Sequence, residues 1–320
     1  MTRSEINRFH NDDLRKRRVG GNRFNSLPLG GEICAHLMVG LFSFLCVFPF
    51  AFVIIISFTD EKMLVENGYR LFPEKWSLAA YKYIVSSGEQ LLQSYFITIF
   101  ITIVGTLMGV LMMGMFSYAI SRSTFRYKNF FTFMAVFTML FNGGLVPYYM
   151  VCTQLLHLRD TIWALILPLC VNAFYIVVLR TFFKTMVPES VIESAKIDGA
   201  NELRIFFQIA APIAKPGIVT IALFLTLGYW NDWFQALLFI ENNKLYPVQY
   251  MLKKLESSIE FIYMYSGYID PVKRVEIIAS LPTEAVRMAM VVLATGPIIF
   301  AYPFFQKYYV RGLTVGAVKE

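Results

Sequence analysis

The chain has 320 residues, 57% of them hydrophobic and 16% charged, with a formal net charge of +7. A single soluble core of this length has no use for so much apolar surface in long runs, so the bilayer is the expected solvent. The positive balance calls for no nucleic-acid partner, because basic residues beside membrane spans produce it by themselves.

Residues 1–31 form a basic N-terminal segment whose "RKRR" at Arg15–Arg18 reads as an anionic-lipid and topology anchor. No cleavable signal peptide is expected, since residues 1–32 precede the first apolar run and that run exceeds a signal's core. Six runs are long enough to cross about 30 Å of hydrocarbon. They are Ile33 to Phe58, Ser94 to Ile120, Asn129 to Tyr149, Thr161 to Thr181, Ile218 to Ile240 and Arg287 to Gln306. The third and fourth are interrupted by "FNGGLVP" and by Pro168. The expected class is all-α, a polytopic membrane protein with a six-helix transmembrane domain over 32–308 and a cytoplasmic tail over 309–320.

Arg23 before the first span, Arg122, Arg126 and Lys128 after the second, and Lys307 and Arg311 after the sixth place both termini in the cytoplasm. Gly105 and Gly109 make a G-x-x-x-G spacing in the second span, read equally as ordinary bundle packing or as a dimer seam. The neighbouring "LMGVLMMGM" reads as deformable packing rather than a metal path. Cys34, Cys46, Cys152 and Cys170 contain no C-x-x-C pair, and His10, His36 and His157 have no H-E-x-x-H context, so neither a disulfide framework nor a metal site is expected.

Between spans four and five, residues 188–212 are polar enough to leave the membrane on the cytoplasmic side. Pro188 suits a first helical position, Glu189 complements the helix dipole and Gly199 stops the helix. Asn201 then caps a second helix whose apolar stripe is Leu203, Phe206, Phe207 and Ala210, ended by Pro212 and "KPG". Such a corner reads either as a knob to be gripped or as an ordinary helical surface loop.

In span five, "GYWNDWFQ" places Tyr229 with Trp233 and Trp230 with Phe234 at helical spacing, beside Asn231, Gln235 and Asp232. Aromatic faces beside amides and a carboxylate suit a sugar path; an aromatic belt with structural polar contacts accounts for the same residues. In span four, Pro168 and Asn172 can loosen the helix and turn carbonyls and Tyr175 toward a cavity, or simply kink it. Residues 241–284 form a long external segment, in which "YPVQYMLKKLESSIEF" has helical spacing and "FIYMYSGYI" suggests a docking surface, a rim above the pore or packing on the chain's own outer spans. No G-x-x-x-x-G-K-[ST] loop is present, so ATP, if used, is hydrolysed by another chain.

The spacing Glu193, Ser194, Ala195, then Gly199, Ile209 and Pro212 resembles the E-A-A-x3-G-x9-I-x-L-P motif of permease subunits in bacterial ATP-binding-cassette importers. Ser194 and Ala211 depart from it, at the positions of an Ala and a Leu. "NGGLVPYYMV", "LRDTIWALILP" and "YPFFQKYYVRGLTVGAVKE" extend the similarity to the carbohydrate branch, especially permeases for pectin or alginate fragments. The resemblance implies the type I importer fold. It implies as partners a homologous second permease, two ATPase subunits that use ATP and Mg, an external solute-binding protein and an oligosaccharide. This chain would hold no cofactor and perform no catalysis. Glu193, Ser194, Ala195, Asp198, Gly199, Phe206 and Pro212 would couple to the ATPase. Asn172, Tyr175, Tyr229, Trp230, Asn231, Asp232 and Trp233 are the candidate substrate path, and Tyr246, Tyr263, Tyr265 and Tyr268 the candidate binding-protein contacts. The alternatives are a non-sugar importer permease, an ion-coupled secondary transporter or a channel.

Overall fold

The computed structural model describes residues 29–86, 88–265 and 284–317. Among them the structure is helical, with one isolated antiparallel bridge between Thr59 and Trp76. The chain divides into two units, Met1–Val53 and Ile54–Glu320.

The first unit contributes most of α1 (Leu29–Ser57), in which Phe44, Phe48 and Phe52 follow one another up one face at ring separations of 5.8 and 6.0 Å. Pro49 lies inside this helix without ending it. The second unit begins in its last turn, where the Ser57 hydroxyl meets that of Tyr81 at 2.8 Å. Asp60 then caps α2 (Glu61–Asn67) and pairs with Lys75 at 3.1 Å. The carboxylate of Glu61 accepts the Glu284 and Ala285 N–H groups at 3.0 and 2.9 Å. It therefore closes the start of α14 (Glu284–Ala317), where free backbone donors and the helix dipole both favour an anion.

After α3 (Ala79–Ser86), the organising element is α4 (Gly88–Ser121), 34 residues and so about 50 Å long. It packs against α5 (Lys128–Leu140), α7 (Trp163–Cys170), α8 (Ala173–Met186) and α11 (Lys215–Asn231). Its small residues are the reason these neighbours come so close. A Cβ at Gly105 would lie 2.3 Å from the Tyr229 ring, and one at Gly109 would lie 2.7 Å from the Cys170 carbonyl oxygen. The G-x-x-x-G spacing thus serves approach within this chain. Near its start, α4 holds the chain beyond α12 (Phe234–Phe239): Gln90 and Gln93 donate to the carbonyls of Asn243 and Lys244 at 2.6 and 3.1 Å, and Thr98 Oγ1 accepts the Val248 N–H at 2.9 Å. That contact opens α13 (Val248–Tyr265), where helix was expected.

Three expected straight spans are broken. Among the described residues, α1 and α4 each suffice by length and composition to cross a membrane; the number rises to five if each of three bent pairs counts as one span, namely Lys128–Leu140 with Leu145–Leu155, Trp163–Cys170 with Ala173–Met186 and, at 85°, Glu202–Ile213 with Lys215–Asn231. The run Asn129–Tyr149 divides into α5 and α6 (Leu145–Leu155), bent by 117°. Gly144, at φ +87°, makes the turn that "FNGG" allows, and Asn142 Oδ1 accepts its N–H at 2.9 Å. In the fourth run, Pro168 sits inside α7 and the 50° break falls later, at Val171–Asn172, with Asn172 capping α8. The fifth run is not one helix to Ile240: α11 ends at Asn231, and α12 restarts at Phe234. The sixth lies within α14, whose helix continues to Ala317, into the expected tail.

Gly105→Val should force the Tyr229 ring out of its seat, an overpacking cost of about 1–3 kcal/mol or more. Gly228→Ala, whose Cβ meets nothing within 4 Å, should leave stability unchanged or slightly raised. Thermal unfolding of the two purified variants in detergent checks the contrast.

Candidate functional site

Residues 188–213 build a corner of two short helices. Pro188 is the N-cap rather than the first helical residue of α9 (Glu189–Ile197), with extended backbone at φ −61°, ψ 139°. At the other end the Ala200 N–H bonds the Ala195 carbonyl and the Gly199 N–H that of Lys196, both at 3.0 Å. This is the paired closure of a left-handed glycine cap, and Gly199 has φ +79°. Asn201 Oδ1 accepts the Arg204 N–H at 2.8 Å and so caps α10 (Glu202–Ile213).

The buried face of α10 differs from the expected stripe. Phe206 and Ala210 are buried, but Leu203 is 61% and Phe207 54% exposed. Residues Phe206–Ala210 form a π-turn, in which bonds run from i to i+5. Ile205 and Ala210, five apart, therefore share the inner face. On α9, Ile192 and Ala195 point inward, while Glu193, Ser194, Asp198 and Gly199 are exposed together with Ile197 at 86%. Pro212 is exposed as well. Of the expected coupling residues, then, Ala195 and Phe206 seat the corner and the others face outward.

What holds the corner is the end of α4. Arg122, buried at its terminus, donates to the Phe183 carbonyl at 2.8 Å and reaches Glu189 Oε2 at 3.4 Å. The other Glu189 oxygen accepts from the Ser123 hydroxyl at 2.5 Å. The Tyr118 hydroxyl donates to Glu202 Oε2 at 3.0 Å, and Lys196 bridges from α9 to Glu202 at 2.7 Å. The Ser123 hydrogen bond, with the Arg122 charge adding to it, lowers the Glu189 carboxyl below its ordinary range; Lys196, with Tyr118, does the same for Glu202. These fasteners were not singled out from the sequence, where Arg122 carried only a topological meaning.

The candidate substrate-path residues are not gathered into one site. Tyr229 is buried, its hydroxyl donating to the Ile166 carbonyl at 2.7 Å; Trp230 donates from Nε1 to the Ala294 carbonyl at 2.9 Å. Asn231 bonds back to Leu227 in its own helix, and Asp232 accepts the Gln235 N–H at 3.3 Å. Because the helix stops at Asn231, the expected Tyr229–Trp233 and Trp230–Phe234 pairs do not form along one helix face. Trp233 is partly exposed, with the Lys253 ammonium 5.7 Å from its ring centre. On α8, Asn172 serves as a cap, and Tyr175 stacks on Phe224 of α11 at 5.9 Å. Tyr246 is buried against Tyr250, its hydroxyl donating to the Glu241 carbonyl at 3.0 Å. Tyr263 and Tyr265 fall in the last turn of α13, and Tyr268 lies outside the described residues. Among the described residues no group of three or more His, Cys, Asp or Glu converges as a metal site.

This chain belongs to the family of binding-protein-dependent transport system inner membrane components, whose sequence profile matches residues 122–315. It is a permease subunit of an ATP-binding-cassette importer, a non-catalytic membrane component, with ATP hydrolysis carried out by separate subunits. It is 36% identical to the polygalacturonan/rhamnogalacturonan transport system permease protein YtcP of Bacillus subtilis (strain 168), over 87% of this chain and 94% of that one. It is also 36% identical to Protein LplC of the same organism, over 90% and 94%. Among solved structures it resembles a bacterial ABC transporter involved in the import of the acidic polysaccharide alginate, with a TM-score of 0.74 and 27% identity, over 87% of this chain and 96% of that one.

Phe206→Ala should cost about 3–5 kcal/mol of stability, as for a large buried aromatic. Phe207→Ala, one residue on, should cost about 0.5 kcal/mol or less. Comparing the two melting temperatures tests the π-turn register.

Proposed function

We propose that this chain is one of two permease subunits in an importer of oligosaccharides derived from acidic polysaccharides, driven by ATP and fed by an external solute-binding protein. The observation that carries this reading is similarity over 87% of the chain to a permease named for polygalacturonan/rhamnogalacturonan transport and to a chain of an ABC transporter involved in alginate import. In this reading the chain crosses the cell membrane six times, the bent pairs α5–α6 and α7–α8 lying within the membrane while α10 stays on its cytoplasmic side, and both termini are cytoplasmic. A homologous permease supplies the other half of the path. Two cytoplasmic subunits bind ATP and Mg; this chain needs no cofactor.

The corner of α9 and α10 is the coupling element. Its outward side chains Glu193, Ile197 and Asp198, with Leu203 and Phe207 beyond the glycine, combine charge with exposed apolar surface, the composition of a protein-binding patch. Ser194 and Gly199 keep that side narrow. The segment beyond α12, with Tyr263, Tyr265 and Tyr268, meets the binding protein. Asn231, Asp232 and Trp233, at the break after α11, remain the best-placed residues for a sugar path, because Asn231 and Trp233 are exposed where the helix opens.

The test is uptake by vesicles holding this chain with its cognate permease, ATPase subunits and binding protein. Oligogalacturonate or alginate oligosaccharide uptake should require ATP and the binding protein, with neutral malto-oligosaccharides transported poorly. Uptake that follows an ion gradient in the absence of ATP would overturn the reading. Gly199→Val should reduce uptake at least tenfold, because a β-branched residue is forced into the left-handed region. Alanine at Tyr263, Tyr265 and Tyr268 should raise the binding-protein concentration needed for half-maximal stimulation of ATP hydrolysis.

A further inference from the structure

The coupling corner is tied to the end of α4 at both of its helices, and at the first of them by one guanidinium. Arg122 is 4% exposed at the end of α4. Its Nε donates to Ser121 Oγ at 3.0 Å, one terminal nitrogen to the Phe183 carbonyl at 2.8 Å, and the other reaches Glu189 Oε2 at 3.4 Å. Its plane also lies 5.4 Å from the centre of the Tyr118 ring. One rigid cationic group thus joins the last turn of α4, the end of α8 and the first residue of α9. Ser123 takes the remaining Glu189 oxygen through both its hydroxyl and its N–H. On the other side of Gly199, the Tyr118 hydroxyl holds Glu202.

The two ties differ in kind. Glu202 is held by a neutral phenol and by Lys196, which is itself part of the corner. Glu189 is fastened by hydrogen bonds from Arg122 and Ser123, just past the end of α4, and the guanidinium among them has left water. The guanidinium is buried while the Glu189 side chain is 37% exposed, so loss of the carboxylate strands a charge that has left water, whereas loss of the guanidinium leaves a carboxylate that water still reaches. A planar guanidinium also fixes orientation as well as distance.

We infer that Arg122 and Glu189 are positioning residues for transport: they form a joint that stays closed through the cycle and makes α9 and α4 move as one body. The inference rests on the coupling reading above. Displacement of α9 by the ATPase subunits is then delivered to α4, and through its packing to α5, α7, α8 and α11. Without the joint, α9 can pivot at Val187–Pro188, where the backbone is extended. Hydrolysis then proceeds without moving the spans.

The experiment measures oligogalacturonate imported per ATP hydrolysed in vesicles containing the complete importer. For Glu189→Ala and for Arg122→Gln the ratio should fall at least tenfold relative to the unaltered complex. A parallel loss of uptake and hydrolysis that leaves the ratio unchanged would mean a merely structural role and would overturn the inference. Glu189→Gln retains length and an acceptor for Ser123 but loses the charge, and should give an intermediate ratio; a ratio equal to that of the unaltered complex would count against the joint. Cysteines at Ser123 and Glu189, in a background with the four native cysteines replaced, provide the second arm. Bridging them with a short bifunctional thiol reagent should restore the ratio to within about twofold, since the joint never needs to open. Transport blocked by the bridge would show that it does open, and the inference fails. If the unaltered complex shows no ATP-driven uptake, the functional reading itself fails, a result distinct from any of these.

Discussion

A backbone N–H without a partner has no water to turn to in hydrocarbon, so a chain that breaks its helices within apolar runs must supply acceptors from its own side chains. Here each break carries one. Asn142 takes the Gly144 N–H between α5 and α6, Asn172 takes those of Phe174 and Tyr175 at the start of α8, and Asp232 takes that of Gln235 at the start of α12. The bends of 117° and 50° are tolerable because of these caps. They also relocate polar residues from a presumed ligand path into the scaffold: Asn172 is occupied by the backbone, and Asp232 partly so.

The same economy governs packing. With little hydrophobic drive between helices in lipid, close contact and interhelical hydrogen bonds must hold them. Gly105 receives the face of Tyr229, whose hydroxyl continues to the Ile166 carbonyl; Trp230 does the same toward Ala294 of α14. Ser117 donates to the Ile176 carbonyl at 3.0 Å, tying α4 to α8. Aromatic residues that look like ligand contacts in a linear reading are thereby spent on helix pairing.

The parts legible in the sequence were those fixed locally. Apolar length located α1 and α4 nearly to their ends, and Pro188, Glu189, Gly199 and Asn201 located the corner because caps act within one turn. Helical spacing likewise found α13. The failures are of another kind. A 3.6-residue period assumes an unbroken ladder, so it put Leu203 and Phe207 on the inner face, and the π-turn moved them out. Nothing near Asp232 in sequence announces that the ladder stops there, apart from an Asn-Asp pair able to cap. Arg122 and Glu189 are 67 residues apart, and their meeting depends on how α4, α8 and α9 pack.

The length of α4 has a mechanical consequence. At about 50 Å it exceeds about 30 Å of hydrocarbon, length enough for both ends to reach beyond it. One end grips the chain around Asn243 and Val248, the other grips α9, and the close approaches at Gly105 and Gly109 pin it near the middle. A stiff rod pinned at its waist behaves as a lever: whatever swings one tip inward swings the other outward.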